Sequence, residues 1–176
     1  CLCGYMVVKS VTFDLDGTML DTVADLAEAC RLMLEDVGAP PRSLAEIHSF
    51  VGKGMAVLVE RCLTREHPPT AEQMHAAIES FKHHYTETNG RFAQIYPGVL
   101  EGLKAWKASG VKMGVVTNKP GMFTEALLER MGMTDYFDVI VSGYSIHHQP
   151  DERKKEVYTE LFHLLKPGGI FINIEH

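Results

Sequence analysis

The sequence predicts an α/β protein: a small doubly wound parallel sheet that carries an inserted all-helical cap. Three observations predict it. An apolar, strand-like run ends in two aspartates, Asp14 and Asp16. A stretch of purely helical periodicity then occupies residues 21–95. From residue 96 onward helical and strand-like segments alternate, and strands separated by helices of that length require parallel pairing with right-handed crossovers.

Val11, Phe13 and Leu15 form the apolar face of the first strand. Asp14 and Asp16, two residues apart, share its other face. Gly17 and Thr18 then turn the chain and leave both carboxylates at the strand's carboxyl end, where open α/β sheets place their ligands. Val23, Leu26, Ala27, Cys30, Met33, Leu34 and Val37 recur at helical spacing behind a capping-box pattern at Thr22 and Asp25, and Gly38 ends the run. Ser43 with Glu46 opens a short helix, and Met55, Leu58, Val59 and Cys62 mark another. Thr70 with Gln73 opens a third, which carries Met74, Ala77, Ile78, Phe81 and Tyr85.

Beyond the cap, Pro97 suits a first helical position, and Val99, Leu100, Leu103 and Trp106 give one apolar face before Gly110. Residues 111–117 read as a buried strand. A helix around Phe123, Leu127 and Met131 is closed by Gly132, and residues 137–142 are the next strand. Residues 151–165 read as a helix that Pro167-Gly168-Gly169 turns into a strand over 170–174. The expected division is an α/β core of residues 6–20 and 96–176, and a helical cap of residues 21–95. Residues 1–5 are expected to be an extension outside the fold, since the chain begins with Cys and Met6 directly precedes the first strand.

With 45% hydrophobic and 23% charged residues, the composition is that of an ordinary globular protein of one sizeable core or a modest core plus an accessory domain. A formal net charge of −6 argues against nucleic acid or an anionic membrane as partner, since either requires a basic field. No apolar run is long enough to span a bilayer, and no secretory signal pattern opens the chain, so a cytoplasmic location is expected. Of the four cysteines, Cys30 and Cys62 sit on apolar helical stripes and read as buried free thiols. Cys1 and Cys3 lack a matching His or Cys pair and make a poor metal site. Adjacent side chains diverge, so the pairs His83-His84 and His147-His148 are assigned no role.

The aspartate pair carries the chemistry. Two carboxylates flanking Mg²⁺ can divide phosphoryl transfer between them: one attacks phosphorus, while the other protonates the leaving oxygen and later deprotonates water. The competing reading is an acidic strand-to-helix turn in which Asp21 and Thr22 cap the next helix. A second aspartate in a buried strand is costly without a cation or donors, and that weighs against it. Thr117 ends the second core strand, so its hydroxyl and the amides after it can reach the same crevice, with Asn118 placed to orient a substrate. A strand end turning before Pro120 explains Thr117 equally well, and Lys119 beside that proline reads as either a site residue or a solvated loop residue. In the cap, Gly52-Lys53-Gly54 sets a cation between two glycines, which suits a substrate-contacting loop or a plain turn.

Asp14, Asp16, Gly17, Thr18 and Asp21 fit the pattern D-x-D-G-T-x-x-D, and in this the chain resembles the haloacid-dehalogenase-like hydrolases. The resemblance runs over residues 7–143. It looks closest to the phosphoglycolate phosphatase branch, through Tyr96-Pro97-Gly98-Val99 and Val115-Val116-Thr117-Asn118-Lys119-Pro120. It implies a Rossmann-like core and Mg²⁺-dependent hydrolysis of a small phosphorylated metabolite, phosphoglycolate by closest resemblance. Asp14 would be the nucleophile, Asp16 the general acid and base, and Thr117 a phosphate ligand. Mg²⁺ would lie on the Asp14 carboxylate and the Asp16 backbone carbonyl, and the loop Gly52-Lys53-Gly54 would close over the phosphate end of the crevice and help choose the substrate.

After residue 143 the pattern departs. The family should supply a charge-neutralising lysine and then an acidic pair at a strand end, and neither is recognisable. Residues 144–176 resemble instead the fourth strand, following helix and fifth strand of class I S-adenosylmethionine-dependent methyltransferases, which suggests a chimera. The glycine-rich cofactor loop of those enzymes is absent from the sequence. A methyltransferase-like binding module and an inactive structural chimera are therefore the alternatives. Glu175, after the strand 170–174, is the candidate third Mg²⁺ ligand if that strand lies beside the Asp14 strand, and Lys154 or Lys155 is a better candidate than Lys166 for the missing cation. Placement at the outer edge is slightly favoured, which would leave an incomplete site with weak Mg²⁺ affinity and poor turnover.

Overall fold

The computed structural model describes residues 8–142. Cys1, Cys3, the residue 1–5 extension, the segment 144–176 and Glu175 lie outside the described residues. Strand β1 (Ser10–Phe13) is followed by a two-residue strand β2 (Leu20–Asp21) and four helices, α1 (Val23–Asp36), α2 (Leu44–Phe50), α3 (Met55–Leu63) and α4 (Ala71–Thr88). The chain then passes through β3 (Gln94–Ile95), α5 (Val99–Ala108), β4 (Lys112–Thr117), α6 (Gly121–Arg130), a 3₁₀ turn (Thr134–Tyr136) and β5 (Val139–Ser142). Among the described residues the main sheet has the order β1-β4-β5, and both pairings are parallel. This is the α/β architecture that the alternation of patterns predicts.

A second, antiparallel pairing joins β2 to β3, with Leu20 opposite Ile95 and Asp21 opposite Gln94. This ribbon stands where the chain leaves the core and where it returns, so the two connections to the helical region are held side by side. The sequence pattern missed it, because two residues carry no periodicity.

Two hydrophobic clusters form, one in each layer. The sheet cluster gathers Leu15, Met19, Leu20, Leu103, Met113, Val115, Leu127, Leu128 and Met133. The helical cluster contains Leu26, Met33, Leu34, Val59, Phe81 and Tyr85, with the free thiols of Cys30 and Cys62 buried among them. Phe123 of α6 belongs by chain position to the sheet layer, yet it packs in the helical cluster, its ring 4.9 Å from that of Tyr85 at 60°. Removing such side chains from water contributes about 1.5–3 kcal/mol each.

Helices α2 and α4 begin in the capping boxes that the sequence predicts, Ser43 with Glu46 and Thr70 with Gln73. The box expected at the start of α1 does not form. The Thr22 hydroxyl donates instead to Asp16 Oδ1 at 2.8 Å, and the Asp25 carboxylate turns to the linker after α4, accepting from the amides of Gly90 at 2.7 Å and Phe92 at 2.6 Å. Asp25 is completely buried. Burial raises its carboxyl above the usual range, and the two amides oppose that rise. On its other side the same linker is tied to α6: Arg130 Nη1 donates to the Asn89 carbonyl at 2.5 Å and Asn89 Nδ2 to the Phe123 carbonyl at 2.8 Å.

Two smaller expectations need correction. Helix α5 begins at Val99 behind Gly98, whose φ of 86° breaks the helix, so Pro97 lies in the preceding turn. Trp106 was placed on the buried face of that helix but is 37% exposed, and within α5 only Leu103 is buried. His84, assigned no role, pairs with Asp36 at 2.7 Å and so ties α4 to the end of α1.

Asp25→Ala should cost about 2–4 kcal/mol of unfolding free energy in a denaturant titration, because it strips two amides of a charged acceptor inside the protein. Glu46 provides a test against pH. The Ser43 amide, then the Ser43 hydroxyl and Arg42, hold its carboxyl down at about 2, against an ordinary 4.5. Its contribution is therefore present above about pH 4.5 and is lost as pH falls toward 2. The melting-temperature gap between wild type and Glu46→Gln should be open at pH 7 and close across that acid window.

Candidate active site

Parallel register sets Phe13 beside Val115, so the loops that leave β1 and β4 emerge at one edge of the sheet. The first loop is tight. The Leu15 carbonyl receives the amides of Thr18, Met19 and Leu20 at 3.0 to 3.3 Å, and the Gly17 amide donates to the Leu20 carbonyl at 2.8 Å. Gly17 adopts a φ of 78°, which a side chain would make strained. Buried Leu15, Met19 and Leu20 anchor the loop from below. Strand β1 stops at Phe13, so Asp14 and Asp16 stand just past its end.

Asp14 Oδ1 accepts the Leu15 amide at 2.7 Å. Desolvation by the surrounding protein raises the Asp14 carboxyl above its ordinary value; the Leu15 amide opposes this and the charge of Asp16 adds to it. The Thr117 hydroxyl and Lys119 draw it back down. Asp16 is bound by two side chains. Thr22 donates to Oδ1, and Lys119 Nζ lies 3.2 Å from both carboxylate oxygens. Lys119 is only 5% exposed, and its ammonium also donates to the hydroxyl of Tyr85 on α4. Its backbone amide donates to Thr117 Oγ1 at 3.3 Å.

A cavity of about 60 Å³ opens between the sheet edge and the helices. Asp14, Asp16, Thr117, Asn118 and Lys119 form its polar floor, while Gly52, Gly54, Met55, Leu58 and Phe81 close it from the helical side. Asn118 Nδ2 donates to the Gly52 carbonyl at 3.2 Å, so the loop before α3 is latched to the loop after β4. Of the residues singled out in the sequence, Asp14, Asp16, Thr117, Asn118, Gly52 and Gly54 meet around this one cavity. Lys53 is exposed and does not line it.

Lys119 and Tyr85 are the participants that sequence reasoning left without a role. For Tyr85 a signal existed: a tyrosine on a buried stripe needs a partner for its hydroxyl. The oxygen-rich donor set of Asp14 and the Asp16 backbone carbonyl suits a hard cation such as Mg²⁺, and the repulsion between the two carboxylates is what such a cation would offset. Among the described residues no group of three or more His, Cys, Asp or Glu side chains is clustered to hold a metal. Also among them, no helix is long and apolar enough to cross a membrane.

Comparison with known proteins bears on the family and the fold. The family described as haloacid dehalogenase-like hydrolase matches residues 11–172. Phosphoglycolate phosphatase of Thiobacillus denitrificans is 42% identical over 147 residues, which are 82% of this chain and 65% of that protein. Phosphoglycolate phosphatase 1 of Pseudomonas aeruginosa is 39% identical over 166 residues, 92% of this chain and 58% of its own length. The chain thus spans a little under two thirds of the length of the curated relatives it matches. The crystal structure of a predicted phosphoglycolate phosphatase from Haemophilus somnus superimposes with a TM-score of 0.76 at 29% identity, covering 89% of this chain and 72% of that one. The family match continues through residues 144–172, and the comparisons lend no support to a methyltransferase piece or a chimera there. With 162 of its residues inside that match, the chain belongs to the haloacid dehalogenase-like hydrolases.

Proposed function

We propose that this chain hydrolyses a small phosphomonoester, with phosphoglycolate as first candidate because relatives 42% and 41% identical over the aligned stretch bear that name. The observation that carries the reading is the meeting of Asp14, Asp16 and Thr117 around one small cavity beneath the helices. Asp14 attacks phosphorus and becomes an aspartyl-phosphate as the bond to the leaving oxygen breaks. Asp16 gives that oxygen a proton and later takes one from the water that attacks the phosphorus and frees Asp14. The Thr117 hydroxyl and Asn118 hold phosphoryl oxygens and substrate. Gly52 and Gly54 face the leaving group from the cap at the cavity wall, and Lys53, at the surface between them, attracts the anionic substrate through its charge.

Mg²⁺ belongs to the proposal, held by the Asp14 carboxylate, the Asp16 backbone carbonyl and, in the fullest version, Glu175. When bound it would neutralise the charge that gathers on the phosphoryl group. In residues 144–176 the lysine and acidic pair expected of the family are not recognisable, Lys154 or Lys155 being the candidate cation, and weak Mg²⁺ affinity with low turnover is the corresponding expectation.

A phosphatase assay on a panel of small phosphate esters, with and without Mg²⁺, tests the reading. Asp14→Asn should lower turnover by about a thousandfold or more with an unchanged melting temperature, since an amide cannot attack phosphorus. Chelation of divalent cations should silence the wild type, and added Mg²⁺ should restore it. Turnover that survives in Asp14→Asn would exclude Asp14 as the nucleophile.

A further inference from the structure

Tyr85 lies on α4, in the middle of the helical cluster, but its hydroxyl serves the sheet layer. The side chain is 2% exposed, and its ring stacks on Phe81 with centroids 5.2 Å apart and meets Phe123 edge-on. The Lys119 ammonium both donates to the hydroxyl and lies 4.7 Å from the ring centroid. Burial, then the charges of Asp16 and Asp25, push the phenol well above its ordinary range, so it stays neutral and accepts the ammonium's hydrogen bond as an uncharged partner.

The Lys119 nitrogen lies 3.2 Å from each Asp16 oxygen and within hydrogen-bonding reach of the Tyr85 hydroxyl, so three oxygens from two side chains surround it. The lysine stem has four rotatable carbons, and contact with Asp16 alone would leave the ammonium free to pivot about the carboxylate. With the Tyr85 oxygen as a third fixed point it cannot pivot. Asp16 is then clamped between Lys119 on one side and the Thr22 hydroxyl on the other, and its carboxyl is presented to the cavity in one orientation. The third fixed point comes from a different layer of the protein than the carboxylate it steadies.

We propose that Tyr85 is a positioning residue for the proton-transfer step, acting through Lys119 to hold the Asp16 carboxyl toward the leaving oxygen. The inference rests on the phosphatase reading. In the step concerned, the Asp14–phosphorus bond forms, the phosphorus–oxygen bond to the leaving group breaks, and the Asp16 proton passes to that oxygen. An alkyl leaving group depends on the proton, because its free alkoxide is strongly basic. A p-nitrophenyl leaving group departs as a stable anion and hardly depends on it.

The discriminating experiment compares kcat/KM, which reports the steps up to loss of the leaving group and not the later attack by water, for phosphoglycolate and p-nitrophenyl phosphate in wild type, Tyr85→Phe, Lys119→Met and the double variant. Tyr85→Phe keeps the ring packing and removes only the oxygen. It should lower kcat/KM for the alkyl ester by about tenfold or more and for the aryl ester by less than about threefold. Lys119→Met should show the same selectivity, and adding Tyr85→Phe to it should cause no further loss. Equal losses on both substrates, in either single variant, would overturn the proposal, as would a full Tyr85→Phe effect in the Lys119→Met background. A wild type that hydrolyses neither ester with Mg²⁺ present would overturn the phosphatase reading itself, an outcome distinct from loss of selectivity.

Discussion

A buried ammonium dictates much of this molecule's geometry. Lys119 is removed from water, and an ammonium in such a place must find an anion and fill its remaining donors or else give up its charge. Asp16 supplies the anion from the loop after β1, and Tyr85 accepts a further hydrogen bond from the ammonium on the side of α4. One cation thereby holds the ends of two parallel strands against the helical layer. The carboxylate is equally bound by the arrangement: beside a second carboxylate, Asp14, and largely enclosed by protein, Asp16 needs that cation and the Thr22 hydroxyl.

The cap is fastened on the same principle at its base. Asp25 bonds the linker after α4 to the first turn of α1, and Arg130 with Asn89 bonds that linker to α6. Together with the β2–β3 ribbon these contacts fix both crossings between the layers. The wall of the cavity is thus positioned from below by backbone pairing and from within by Tyr85, while Asn118 reaches Gly52 from the sheet side.

What could be read in the sequence was whatever depends on neighbours along the chain. Helical stripes, the boxes at Ser43 and Thr70, and the turn glycines are local, and the structure has them where the pattern places them. Thr22 and Asp25 have the same local signature as a capping box, but tertiary partners take both side chains, Asp16 in one case and the Gly90 and Phe92 amides in the other. Lys119 was ambiguous for a related reason. Beside a proline it looks like a solvated loop residue, and its burial depends on a carboxylate 103 positions earlier in the chain. Asp14, Asp16 and Thr117 were legible because strand ends in a parallel sheet converge at one edge whatever the rest of the chain does.

Phe123 shows what joining the two layers implies for how the protein comes apart. Its ring sits in the helical cluster, while the backbone that carries it begins α6, directly after the loop that bears Lys119. Melting of the four helices would strip that ring of its packing and loosen the start of α6, and the same event would free Lys119 from Tyr85. The helical layer and the loop that bears Lys119 are coupled through these contacts, and amide protons of α4 and of the first turn of α6 are expected to lose protection together.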